Sequence, residues 1–127
     1  MKLLLAITAV MEAVTGLGLL LSPSLIVRLL LGTPPDGLAA GTVGRIAGAA
    51  LLALGLACWM ARAGSRALVL AMLFYNAAAG AILAHAALGA GLSGPGLWLA
   101  IGLHTALAAW CVAVLRSISV HRAATGA

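Results

Sequence analysis

Four residue types that handle protons or polar ligands stand inside long apolar runs: an acid, Glu12, an amide, Asn76, an imidazole, His104, and a guanidinium, Arg45. A charged or ionisable group inside such a run is costly, faces protein or a water cavity, and marks function by default. Glu12 and His104 could act as an acid–base pair. Asn76 could orient a ligand, and Arg45 could tune the acid or meet an anion. Tyr75 stands beside Asn76 and joins the ligand-binding candidates, although packing or interfacial anchoring accounts for it and for the tryptophans better than a binding box does. Each residue also has a structural reading. Glu12 could be protonated and hydrogen-bonded to Asn76 or His104, or paired with Arg45. Asn76 could be interhelical glue, and His85 a boundary residue.

The elements that must position these groups follow from composition. Hydrophobic residues are 65% and charged residues 7% of the 127-residue chain, against about 25% charged in soluble proteins. A domain this small cannot hide so much apolar surface from water. The expected class is all-α and integral to the membrane, a single domain of four transmembrane helices with the lipid bilayer as its first partner. Spans are expected at about 3–21, 38–61, 67–88 and 97–115. The 25–31 segment is too short to cross and carries Arg28, which predicts a helix lying at the interface. Gly32-Thr-Pro-Pro-Asp-Gly37 reads as a turn, residues 89–96 as an uncharged glycine-rich turn, and 117–127 as a polar, basic tail frayed at its end. The first run continues to Leu21, beyond the 7–15 residues of a secretory h-region, so a retained first helix is expected.

The net charge of +5 comes from basic residues standing one or two at a time at span ends, a pattern of topology rather than of nucleic-acid binding. Lys2, Arg62, Arg66, Arg116 and Arg122 fall on one side, Arg28 and Asp36 on the other. The positive-inside rule then places both termini in the cytoplasm.

Counting inward at 1.5 Å per residue puts Glu12 and Asn76 about 15 Å deep and His104 about 18 Å deep. Arg45 and His85 come out at about 25 and 28 Å, nearer the outer surface. Thr8, Thr15 and Gly16 share the Glu12 face at helical spacing. His85 and His104 differ by about 10 Å in depth, which argues against a bis-histidine haem. Cys58 and Cys111 offer neither a C-x-x-C motif nor a metal-ligand spacing, and no metal or other cofactor is expected. Buried free cysteine behaves as a small hydrophobe. Gly44-x-x-x-Gly48 is a small-residue face that allows close helix approach, serving internal packing or a homodimer seam.

Glu12-Ala-Val-Thr-Gly-Leu-Gly-Leu-Leu-Leu-Ser-Pro23, Gly44-Arg-Ile-Ala-Gly48, Tyr75-Asn76 and Leu103-His104 together resemble small bacterial four-helix membrane proteins, loosely DoxX-like. The resemblance covers most of the chain and implies the four-helix fold with no particular chemistry. Three functions are open: binding or transport of a proton or small molecule, in a homodimer if a transporter; an accessory subunit of a larger membrane complex with the polar cluster as glue; and a small enzyme acting on a lipophilic substrate through Glu12 and His104.

Overall fold

The computed structural model describes residues 1–125, with the side chains of residues 1–120. Five helices follow one another: α1 (Lys2–Leu21), α2 (Pro23–Leu31), α3 (Gly37–Met60), α4 (Arg66–Leu88) and α5 (Leu97–Thr125). Four of them, all but α2, are long and apolar enough to cross a membrane. Strand is absent among the described residues. The last helix runs past Arg116 to Thr125, so the described part of the expected polar tail is helical. The Arg122 side chain and residues 126–127 lie outside the described set.

Outward and inward faces are sorted as lipid, rather than water, would demand. The exposed stripe of α1 is Leu3, Ile7, Val10, Val14, Leu17 and Leu21, whereas Thr8 and Glu12 are buried. In a bilayer, apolar lipid chains would satisfy the outer side chains, and the polar ones would look for partners within the bundle.

Two antiparallel pairs make up the bundle, α1 against α3 and α4 against α5. Glycine sets the first. A methyl on Gly16 would sit 2.7 Å from the Gly48 carbonyl, and one on Gly48 would sit 2.7 Å from the Gly16 carbonyl. Gly55 faces the Ala9 carbonyl in the same way, at 2.9 Å. In lipid, which offers no hydrophobic drive between helices, such backbone proximity and its dispersion contacts would supply much of the attraction. Gly48 thus serves packing within the chain, and Gly44 faces Pro23.

Ser22 breaks α1, and Pro23 opens α2 at a position where its missing N–H costs no helical bond. Gly32 closes α2 in the left-handed conformation at φ 84°, its N–H donating to the Arg28 carbonyl. The α4–α5 turn docks on this short helix. The Gly96 N–H donates to the Leu29 carbonyl at 2.8 Å, and Gly94 lies against the Leu29 and Leu30 carbonyls. Within the bundle, α2 is therefore a strap that joins the end of α1 to the start of α5.

Near the other end of the bundle, Leu4, Leu5, Ala9, Cys58, Val69, Met72, Leu107, Cys111 and Val114 form a continuous buried core. This packed layer forms the floor, and the α2 strap the roof, of the region that holds the polar groups.

Candidate functional site

Three consecutive residues of α4 point three ways because each step around a helix is about 100°. Phe74 is 78% exposed on the outer face. Tyr75 reaches α1, where its hydroxyl donates to Glu12 Oε2 at 3.2 Å. Asn76, 1% exposed, reaches α5, where its Oδ1 lies 2.9 Å from His104 Nδ1. The Asn76 amide also donates through Nδ2 to the Met72 carbonyl at 2.8 Å. That bond fixes the amide orientation, since a flipped amide would set oxygen against oxygen. Nδ1 of His104 therefore carries the hydrogen that Asn76 Oδ1 accepts, and in the neutral ring Nε2 is the acceptor nitrogen. The Tyr75 and His104 rings meet edge to face, with centroids 5.7 Å apart and planes at 79°. Glu12, Tyr75, His104 and Asn76 thus form one contiguous polar cluster across α1, α4 and α5.

The cluster borders a partly enclosed cavity of about 100 Å³ between the two helix pairs. Glu12 and Thr15 come from α1, Tyr75 from α4, His104 and Leu103 from α5, and Leu30 of the α2 strap closes one end. At roughly 30 Å³ per water, the cavity holds about three waters. It is well below the roughly 300 Å³ at which pockets for drug-sized ligands begin.

Several expected partnerships are corrected by this geometry. Among the described residues the side-chain partner of Glu12 is Tyr75, not Asn76 or His104. Arg45 does not pair with Glu12. Its exposed guanidinium donates from Nε to the Leu20 carbonyl at 3.3 Å, and it lies outside the cavity wall. The physical reason is register: Gly48, three residues on, is pinned against Gly16, which sets Arg45 beside the last turn of α1, about two turns from Glu12. His85 is exposed in the last turn of α4. Cys58 and Cys111 are free, buried thiols of the core. Among the described residues no group of three or more histidine, cysteine or acidic side chains could hold a metal ion.

Thr8, one turn from Glu12, is completely buried, and its Oγ1 lacks a hydrogen-bond partner among the described residues. Sequence reasoning placed it on the Glu12 face but not its isolation. The contribution of Leu30 was also missed; only the Gly94 and Gly96 backbone contacts, which are tertiary, bring α2 over the cavity.

An all-helical bundle with four spanning-length helices and a buried polar cluster is the class that fold and site define. Comparison with protein-family models, with curated proteins and with solved structures gives no match.

Proposed function

We propose that the protein is a multi-pass membrane protein whose interhelical cavity binds and exchanges a proton, with Glu12 as the proton-binding group. The observation that carries this reading is the water-sized cavity walled by Glu12, Thr15, Tyr75 and His104. A carboxyl group with one oxygen held by Tyr75 is oriented, and water in the cavity would give its proton a path. Tyr75 positions the acid, Asn76 sets the His104 tautomer, and the His104 ring supplies a second proton-accepting nitrogen on the same wall. The small volume supports a proton, or a ligand of a few atoms, over a bulky lipophilic substrate. Arg45 is not needed for this chemistry.

The likeness to DoxX-like bacterial proteins, a bacterial cytoplasmic membrane and cytoplasmic termini belong to the same proposal. They rest on the residue patterns and on the clustering of Lys2, Arg62, Arg66 and Arg116 at one side. Because four helices enclose so little space, transport would take place in a homodimer or larger assembly.

A second reading makes the cluster structural glue in an accessory subunit. It is favoured by Asn76, whose oxygen and nitrogen are both engaged within the chain. Proteoliposomes carrying an internal pH dye separate the two. Under an imposed pH gradient, proton exchange predicts faster dissipation with wild type than with Glu12→Gln, which preserves shape and removes the titrating group. Equal rates from two folded proteins would remove the proton-exchange reading and leave the structural one.

A further inference from the structure

Three open grooves on the surface of the α1/α3 pair meet at Trp59, which borders all of them. The largest, about 650 Å³, lies where α1 begins and α3 ends, with Lys2 and Arg62 on its walls. The other two, about 310 and 290 Å³, continue along the pair between residues such as Ile7, Val10 and Leu56, and their walls carry no charged side chain. From Lys2 to Ala13 the grooves follow α1 for about 16 Å. That is close to the roughly 15 Å hydrocarbon depth of one bilayer leaflet.

Charge is arranged to match. The chain has only two acids. Glu12 is buried in the bundle, and Asp36 stands at the N-cap position of α3, at its opposite end. Among the described residues, the charged side chains at the groove mouth are thus the cationic Lys2 and Arg62. Arg62 is held there twice, donating from Nη1 to the Trp59 carbonyl at 2.7 Å and lying 4.2 Å over the Trp59 ring centroid.

We infer that this composite groove is a binding site for an anionic phospholipid. Its headgroup phosphate sits between Lys2 and Arg62, and one acyl chain runs along α1 and α3 past Trp59. A zwitterionic choline lipid has the same chain, but would bring its own cation toward two cationic side chains. The headgroup therefore sets the preference, and the apolar groove sets the chain position.

Trp59 is the natural reporter. In a Trp98→Phe/Trp110→Phe background, phosphatidylglycerol with brominated acyl chains should quench Trp59 at lower mole fraction than brominated phosphatidylcholine. At about five-fold for each basic side chain, the preference should reach about 25-fold. Lys2→Gln/Arg62→Gln should abolish it, and Arg66→Gln, at the same end but off the groove wall, should retain it. Native mass spectrometry of the chain with all three tryptophans intact reads the same headgroup preference and the same two charge variants, should the tryptophan background fail to fold. Equal quenching or retention of the two lipids would overturn the site. So would equal loss with Arg66→Gln, the mark of a diffuse basic surface. Failure of both lipids to quench would mean that another chain covers the groove, and would overturn it as well.

Discussion

Replacing Tyr75 by phenylalanine removes one oxygen and leaves the ring edge against His104. The hydroxyl lost is the 3.2 Å donor to Glu12 Oε2, and the acid it leaves behind is only 4% exposed. A neutral hydrogen bond contributes about 0.5–1.5 kcal/mol and one to a charged group about 1.5–3 kcal/mol. Interhelical hydrogen bonds measured by double-mutant cycles in membrane proteins average about 0.6 kcal/mol and reach about 1.7 kcal/mol. The Tyr75→Phe substitution is therefore expected to cost about 1–3 kcal/mol, because the carboxyl group loses a partner and cannot turn to bulk water. The informative quantity is the coupling with Glu12→Met, an apolar replacement of similar length. Reversible unfolding in mixed detergent–SDS micelles, applied to wild type, both single variants and the double variant, yields it. A coupling of about 0.6–1.7 kcal/mol fits a neutral acid, and one near 2–3 kcal/mol an ionised one. Additivity within about 0.3 kcal/mol would mean that the two groups do not interact, and would refute the site geometry.

Other substitutions test the scaffold. Gly48→Leu should force α1 and α3 apart and cost about 1–3 kcal/mol or more in the same unfolding assay. Gly41→Ala, where a methyl meets nothing within 4 Å, should be neutral or stabilising by up to about 1 kcal/mol. Asn76→Ala strands the His104 Nδ1–H and should cost about 1–3 kcal/mol, with the His104 ring resonances shifting in NMR spectra. Thr8→Val removes an unpartnered buried hydroxyl and should raise stability by about 1 kcal/mol. A destabilised Thr8→Val would show that the hydroxyl has a partner, such as a bound water.

Helices and their faces were legible because apolar run length and turn residues act locally. The long apolar run from Leu3, the breakers Ser22-Pro23 and Pro34-Pro35, and the glycines of 89–96 each mark a boundary without reference to the rest of the chain. Depth was legible as well: counting residues set Asn76 near His104, and the two are hydrogen-bonded. Rotation between helices was not. Whether Tyr75 or Asn76 meets Glu12 depends on how α4 is turned against α1, a quantity set by packing across a chain separation of 63 residues. Arg45 illustrates the same limit, since its direction follows from the Gly16–Gly48 contact rather than from its own neighbours. The helix after Arg116 was hidden because polar residues end an apolar run without ending a helix. The cavity itself was illegible: it arises where the two pairs and the α2 strap fail to fill space together.

The central claim is that Glu12 exchanges its proton through the cavity, and infrared difference spectroscopy of pH jumps tests it most directly. Wild type in lipid should show a carboxylic-acid C=O band, assigned to Glu12 by substitution, that converts to carboxylate. That band should shift in deuterated buffer, move in Tyr75→Phe and vanish in Glu12→Gln. A Glu12 band that neither titrates nor responds to deuterated buffer in the folded protein would contradict the claim and leave Glu12 as a structural residue.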